Sequence, residues 1–186
     1  MSGRQSAEER KTQIVAEVLR LADEIGPDRL STTDVARAVG LSQPAIFRHF
    51  PTKGALWLAV AEDIADRLQE SWAASEAEAA APKARLRGLI GAQLSAISAT
   101  PALPSILFSR ELQVDNQALR DVFRELLGAF QSRLVAVIRD LQAAGDMKRD
   151  VSPEDVAILL TSLVQGVAIR WTLGARGFSL PQEGLR

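Results

Sequence analysis

Residues 31–53 read STTDVARAVGLSQPAIFRHFPTK, two short helical segments that meet at a glycine. Ala36 is small enough for two helices to cross closely. Gly40, four residues later, can adopt the positive φ of a tight turn without steric cost. Ile46, ten residues after Ala36, provides an apolar anchor on the second segment. These residue types at these spacings predict a helix-turn-helix.

Capping residues predict where the two segments begin. Ser31 or Thr32 is expected to be the N-cap of the first segment, with Asp34 in its first turn. Ser42 is expected to cap the second segment, with Pro44 in its first turn. Each segment is therefore predicted to be a short helix that starts at a hydroxyl side chain.

An ordinary corner between two helices uses the same alanine, glycine and apolar anchors, so the outward face of the second segment decides between the two interpretations. If Ile46 and Phe50 point inward, the residues left to face elsewhere are Gln43, Pro44, Ala45, Phe47, Arg48 and His49. An exposed aromatic ring, guanidinium and imidazole on one short helix are unusual for a plain corner. They are typical of a helix that contacts DNA.

Each outward side chain has a plausible partner in DNA. Gln43 can hydrogen-bond a base edge, while Pro44 and Ala45 can pack on a thymine methyl group. Arg48 can contact a base or a phosphate. We therefore predict that this helix reads bases.

Helix N-termini on both sides of this segment can bind phosphates, because they present unpaired N–H groups and a partial positive charge. Lys53 opens the next helix, and Thr32 and Thr33 open the preceding one. Ser42 and His49 complete the set of candidate DNA contacts. The alternatives are a solvated surface lysine at position 53 and a buried core histidine at position 49.

At this point the chain resembles the TetR family of transcriptional regulators, from about Ile14 to Val60. The marks of the resemblance are Gly26, Thr32-Thr33-Asp34-Val35-Ala36, Gly40-Leu41-Ser42, Pro44-Ala45-Ile46-Phe47-Arg48-His49-Phe50 and Lys53-Gly54-Ala55-Leu56.

The resemblance implies particular roles for three of these residues. In the family, residues matching Phe47 and His49 touch DNA phosphates, and the lysine matching Lys53 clamps another phosphate from a helix N-terminus. The family usually has tyrosine where this chain has Phe47, so the hydrogen bond of that hydroxyl is expected to be lost. The resemblance also implies a second helical domain that dimerises and holds a small effector.

Composition narrows the function classes. The chain has 186 residues, 47% of them hydrophobic, and a formal net charge of −1, so any DNA affinity must come from the placement of a few cations. The absence of cysteine and the single histidine, His49, exclude disulfides, thiolate sites and a multi-histidine metal centre within one chain. We therefore expect no metal, no cofactor and no enzymatic activity.

The polar N-terminus lacks the apolar core of a signal peptide, and no uninterrupted apolar run reaches membrane-spanning length, so a cytoplasmic protein without a membrane partner is expected.

Hydrophobic periodicity and Gly/Pro punctuation predict an all-α fold. The N-terminal three-helix DNA-binding domain is placed at residues 1–52 and a helical effector-binding and dimerisation domain at residues 53–186. A first buried stripe is expected at Ile14, Val18, Leu21, Ala22 and Ile25. The tail after Gly174 is expected to be irregular. The predicted helices, besides the two above, are Ala7–Ile25, Lys53–Ala81, Pro82–Ala99, Ser105–Gln113, Asn116–Ala144 and Pro153–Leu173.

The last two of these helices are candidates for a dimer interface. Pro153–Leu173 is apolar on nearly every side, and a helix of that kind must be buried on every side. In a small protein the simplest cover is a second copy, giving a four-helix bundle, although both helices could also pack inside one monomer.

A candidate effector pocket lies among the helices between residues 82 and 130, although a plain core would use the same side chains. Its lining would suit an apolar or amphipathic ligand. The candidate lining residues are Ile90, Leu94, Ile97, Leu103, Ile106, Leu107, Phe108, Phe123, Leu127, Phe130 and Trp171.

The leading hypothesis is a homodimeric repressor that binds a palindromic DNA operator and is released by a small ligand. The alternative is an adaptor with the same DNA-binding domain whose second domain binds a protein, as in a nucleoid-associated or division-linked factor.

Overall fold

A computed structural model describes residues 6–186, which are all-α. No strand occurs within this part of the chain. Its helices are α1 (Ala7–Ile25), α2 (Thr32–Ala38), α3 (Gln43–His49), α4 (Lys53–Glu78), α5 (Pro82–Ala99), α6 (Leu103–Leu107), α7 (Arg110–Asp115), α8 (Gln117–Ala143), α9 (Pro153–Leu173) and α10 (Leu180–Gly184).

The described chain divides into two compact units. The first unit comprises the described residues up to Ile64 together with Ser105–Phe123, and the second comprises Ala65–Pro104 and Arg124–Arg186. The first unit therefore contains a segment from the middle of the chain. The predicted functional division into residues 1–52 and 53–186 stays a prediction.

Helix α1 braces the first unit and begins and ends where the sequence predicts. Ser6 and Glu9 form a capping box, and Gly26, with φ 87°, ends the helix. The predicted stripe is wrong at its edges, because Leu21 is only half-buried and Ile25 is 40% exposed. The buried face is wider on the other side and consists of Ile14, Val15, Val18, Leu19 and Ala22.

The single helix predicted over Ser105–Gln113 is wrong, because the chain breaks at Ser109 into α6 and α7. The Ser109 hydroxyl oxygen accepts a hydrogen bond from the Leu112 N–H at 3.1 Å and so caps α7. The same hydroxyl donates to the Asp28 carboxylate. A buried serine, 5% exposed, thus ties this segment to the loop after α1.

Asn116 provides a second link within the first unit. Its Oδ1 accepts from the Leu119 N–H at 3.1 Å and so caps α8. Its Nδ2 donates to the Gly54 carbonyl at 2.9 Å. Asn116 therefore joins the start of α8 to the first turn of α4.

The second unit has an aromatic core around Trp72. The rings of Trp72 and Phe130 have centroids 5.1 Å apart, and the indole N–H donates to Gln93 Oε1 at 2.8 Å. The Arg133 guanidinium lies 5.8 Å from the centroid of the Trp72 ring and pairs with Glu76. This polar cluster satisfies the one donor of a tryptophan that is 1% exposed.

The tail after Gly174 is not irregular throughout, because it contains α10, with Ser179 at the N-cap position. Leu180 is completely buried, and α10 packs on α5 and α9. Gly184 lies so close to Leu94 that a Cβ there would be 2.7 Å from Leu94 Cδ1. Packing rather than local propensity therefore forms this short helix.

Helix α9 buries only one face within the chain. The buried residues recur at three- and four-residue steps: Ala157, Thr161, Val164, Ala168 and Trp171. Large exposed apolar side chains cover other faces: Ile158, Leu159, Leu163, Ile169 and Leu173.

By length and composition α9 could also cross a membrane, with a mean hydropathy of 1.6 over an 18-residue window. The polar residues Thr161, Ser162 and Gln165 interrupt the apolar sequence of α9, so this finding does not contradict the expectation that no uninterrupted apolar run reaches membrane-spanning length. The core helix of a soluble protein passes the same test. The absence of a membrane partner stays a prediction.

Candidate DNA-binding surface

Backbone hydrogen bonds between α2 and α3 form a tight glycine turn. The Leu41 N–H donates to the Ala36 carbonyl at 2.9 Å, and the Gly40 N–H donates to the Arg37 carbonyl at 3.3 Å. This pair of bonds is a Schellman motif, in which the residue after the helix adopts a left-handed conformation. Gly40 has φ 69°, as predicted.

The turn sets α3 against the rest of the first unit through two apolar anchors. Ile46 is fully buried and Phe50 is 6% exposed, which confirms their predicted inward direction. Val35 and Ala36 of α2 are buried as well, at 1% and 3% exposed. A small alanine at this position fits its predicted role in close helix packing.

The other face of α3 carries most of the predicted side chains. Gln43, Pro44 and Arg48 are exposed, Phe47 is 38% exposed, and His49 is half-buried. With Lys53 these residues form a surface that we call the α3 face, consisting of Gln43, Pro44, Phe47, Arg48, His49 and Lys53.

The outward direction predicted for Ala45 is wrong, because Ala45 is only 5% exposed. Successive helix residues are about 100° apart, so Ala45 and Ile46 together span a buried arc wider than a single stripe. A buried methyl group cannot pack on a thymine, and Ala45 therefore leaves the set of candidate DNA contacts.

The caps on either side of the α3 face differ from prediction. Ser42 occupies the N-cap position of α3, but its side chain makes no capping hydrogen bond. Thr52, which the sequence analysis missed, accepts from the Ala55 N–H at 3.0 Å through Oγ1 and caps α4. This cap makes Lys53 the first residue of α4, where its exposed ammonium lies at a positive helix end.

Thr32 and Gln43 are joined across the turn by a hydrogen bond that sequence spacing did not reveal. Gln43 Nε2 donates to Thr32 Oγ1 at 2.8 Å. Thr32 is half-buried as the first residue of α2, whereas Thr33 is exposed. The bond links a candidate phosphate contact to a candidate base contact.

The N-terminus of α2 is closed by a capping box. The Ser31 hydroxyl oxygen accepts from the Asp34 N–H, and the Asp34 carboxylate accepts from the Ser31 N–H at 3.2 Å. The pKa of Asp34 lies below the usual value of 3.8, mainly because of the hydrogen bond from the Ser31 side chain and to a lesser extent because of the one from the Ser31 backbone.

This cap predicts an acid-sensitive contribution to stability. The pKa of Asp34 is lower in the folded state than in the unfolded state. The hydrogen bonds of the Asp34 carboxylate therefore stabilise the fold fully at a pH above the pKa of the unfolded state, and this stabilisation is lost as the pH falls through the pKa of the folded state. In urea unfolding, Asp34→Ala is expected to lower the midpoint at neutral pH, and the gap to the wild type should close towards about pH 2. Asp150→Ala, in the exposed loop before α9, is the control. A gap that stays constant with pH would contradict the assignment.

A small cavity of about 10 Å³ lies among α1, α2 and α4 within the first unit. It has room for about one water molecule and none for an effector. Its lining residues are Val18, Leu30, Ser31, Thr32, Val35, Lys53, Leu56 and Trp57.

The predicted pocket residues fall into both compact units. In the second unit Ile90 is half-buried. The buried core residues there are Leu94, Ile97, Leu103, Phe130 and Trp171. In the first unit Ile106 and Phe123 are buried and Leu107 is half-buried. Phe108 and Leu127 are 52% and 39% exposed, so they are wrong as lining of an enclosed pocket in this chain.

Two family models match the sequence. One, described as bacterial regulatory proteins of the tetR family, matches residues 14–60 and so covers most of α1, all of α2 and α3, and the start of α4. The other, described as the C-terminal part of a BetI-type transcriptional repressor, matches residues 82–183.

Curated relatives and solved structures extend over most of the chain. A nucleoid occlusion factor SlmA of Vibrio vulnificus (strain YJ016) is 26% identical over 154 residues, which are 83% of this chain and 78% of that protein. A TetR transcription regulator from Haloarcula marismortui has a TM-score of 0.81 at 23% identity, covering 96% of this chain and 93% of that one. A transcriptional regulator from Saccharomonospora viridis, solved with choline, has a TM-score of 0.83 at 22% identity, covering 96% and 92%. The two structures share the fold of this chain.

Proposed function

Because this chain belongs to the TetR family of DNA-binding transcriptional regulators, we propose that it is a repressor that binds a palindromic operator as a homodimer and is released by a small ligand. Its family consists of regulators and not of enzymes. Three features support the three parts of the proposal: the α3 face, the exposed apolar residues of α9, and the second helical unit.

The α3 face is the observation that carries the proposal. It presents an amide, a proline, an aromatic ring and a guanidinium on one side of a short helix whose other side is anchored by Ile46. Amide and guanidinium groups match base edges in the major groove, and apolar groups match the thymine methyl. Lys53 at the start of α4, His49 and the two threonines of α2 are suited to phosphate oxygens.

A homodimer supplies the specificity that one short helix lacks. A single recognition helix contacts only a few base pairs, so two copies related by a two-fold axis read both halves of a palindrome. Their separation must be one helical turn of DNA, roughly 34–36 Å, or a multiple of it. We propose that α8 and α9 form the interface, since α9 leaves large apolar side chains exposed in the single chain.

Release by a ligand needs only a difference in affinity between two conformations. An effector that binds better to the dimer with the wrong helix spacing lowers operator occupancy by that difference. The apolar side chains of the second unit favour an apolar or amphipathic effector. Gln93 and the Arg133–Glu76 pair provide polar groups beside Trp72 in that core.

Selection of binding sites from random double-stranded DNA, followed by salt titration, tests the proposal. The full chain is expected to enrich a palindrome. Arg48→Ala is expected to relax base preference, at a cost of about 1–3 kcal/mol on the preferred site, if the guanidinium reads a base. Lys53→Ala is expected to weaken all sites similarly and to reduce the salt slope by about 1.

A surface lysine of the second unit provides the matched control. Lys83 lies in a surface ion pair with Asp146, and Lys83→Ala is expected to leave both affinity and salt slope unchanged. Failure of the wild type to enrich any palindrome at low salt would refute the proposed function. A change of base preference in Lys53→Ala would show that its contact is misassigned.

The curated relatives favour a second candidate, a DNA-binding adaptor whose predicted second domain, residues 53–186, binds a protein. SlmA of Vibrio vulnificus is named a nucleoid occlusion factor, and this chain covers 78% of its length. Under this candidate the exposed apolar residues Phe108 and Val114 would contact a protein partner. A small molecule that lowers the affinity of the pure protein for the operator would decide for the repressor. If a screen of a broad library of apolar compounds finds no such molecule, the adaptor is favoured.

A further inference from the structure

We propose that Thr32 is a positioning residue that fixes the amide of Gln43 for adenine, so that the protein prefers adenine at one base pair of each half-site. The inference rests on the proposed function and adds a specificity mechanism to it. The hydrogen bond between the two side chains carries the proposal.

The bond holds the amide at the place where a recognition helix contacts bases. Gln43 is the first residue of α3, and the N-terminal residues of recognition helices reach base edges. Its Nε2 donates to Thr32 Oγ1 at 2.8 Å, although the residues are 11 positions apart. Thr32 is half-buried and β-branched, so its own side chain has few rotamers. An otherwise exposed and flexible amide is thereby held by a stiffer neighbour.

The Thr32 hydroxyl determines which end of the Gln43 amide faces Thr32 when DNA is bound. A threonine hydroxyl has one hydrogen to donate and lone pairs that accept, so alone it could face either end of an amide. A DNA phosphate offers only acceptors, and a Thr32 hydroxyl that donates to a phosphate can only accept from Gln43. The phosphate contact therefore keeps Nε2, and not Oε1, directed at Thr32.

The held amide presents one acceptor and one donor to the groove. Gln43 Oε1 is left to accept, and the second hydrogen of Nε2 is left to donate. Adenine offers the complementary pair, a donor at N6 and an acceptor at N7, whereas guanine offers two acceptors at O6 and N7. A fixed Oε1 facing guanine O6 would repel it, so adenine is preferred by roughly 5- to 150-fold.

Binding-site selection with the full chain tests the pair, using Thr32→Val and Thr32→Ser as matched variants. Valine keeps the shape of threonine without the hydroxyl. In this variant the Gln43 amide is free to turn its N–H groups towards guanine. The ratio of adenine to guanine at the affected position is expected to fall about 2- to 12-fold in Thr32→Val, which corresponds to the loss of one hydrogen bond. Thr32→Ser keeps the hydroxyl and is expected to retain the wild-type ratio.

The ratio separates positioning from other effects, because a lost phosphate contact weakens all sites equally and leaves the ratio unchanged. Gln43→Ala should abolish the adenine preference at the same position while other positions stay selective. A Thr32→Val variant with the wild-type ratio, or a Gln43→Ala variant that still selects adenine there, would overturn the inference while the proposed function stands. A wild type that enriches no DNA would overturn both.

Discussion

A chain with Leu159→Glu and Leu163→Glu is expected to be a monomer at micromolar concentration and to lose operator binding. Both leucines are exposed in the single chain, at 63% and 64%, and lie one helical turn apart on α9. If they are buried in the proposed dimer, each contributes about 1.5–3 kcal/mol of apolar burial. A carboxylate in the same place would have to be desolvated without a partner, which is costlier still.

Loss of the dimer also removes the advantage of binding two half-sites together, which is worth about 10²- to 10⁴-fold in affinity. Analytical ultracentrifugation measures the association and a titration of operator DNA measures the affinity. Val114→Glu is the matched control, since Val114 is 62% exposed but lies in the first unit. A doubly substituted chain that remains dimeric would place the interface elsewhere.

Ile46→Ala is expected to destabilise the first unit and to remove DNA binding of every sequence. Ile46 is completely buried and is the main apolar anchor of a helix of only seven residues. Removing its three outer carbons leaves a cavity, which costs about 2–5 kcal/mol in a well-packed core. A helix this short has little stability of its own and depends on that packing.

Phe47→Ala, on the adjacent residue, separates stability from contact. Phe47 is 38% exposed, so its truncation is expected to change the denaturant midpoint far less than Ile46→Ala. Because packing on the DNA backbone is the role expected of Phe47, the truncation should still weaken binding. Equal losses of stability in the two variants would contradict the assignment of inward and outward faces.

Most helix boundaries could be predicted because their signals are local. Ser152 and Pro153 begin α9, and Pro82 begins α5. Gly145, with φ 77°, ends α8. Each of these residues acts through its own backbone conformation or on N–H groups within three positions. Periodicity then predicted most of the buried faces, except at edge residues such as Leu21, Ile25 and Ala45.

Two of the failures have a different cause, which is that the deciding partner is distant in sequence. Ser109 breaks one predicted helix into two and is bonded to Asp28, 81 residues away. Helix α10 forms in a Gly- and Pro-containing tail because it packs against α5 and α9 within the second unit. No local pattern reports a contact of this kind.

The α3 face shows the same division. Gly40, Ile46 and the outward side chains follow from spacing, whereas the burial of Ala45 depends on how closely neighbouring helices approach. The bond from Gln43 to Thr32 crosses a turn between two helices, so neither helix alone predicts it. Thr52 was within reach of the sequence, since a threonine directly before a helix is a common cap.

The composition of the first unit has a consequence for how the protein is made. Ser109 and Asn116, which bond to Asp28 and Gly54, lie well past the helix-turn-helix in the chain. During synthesis the ribosome releases α1 to α3 first, and these partners emerge only after more than half of the chain has been translated. The first unit therefore cannot complete its contacts on the ribosome before residue 123 has emerged, by which time residues 65–104 of the second unit have already been translated.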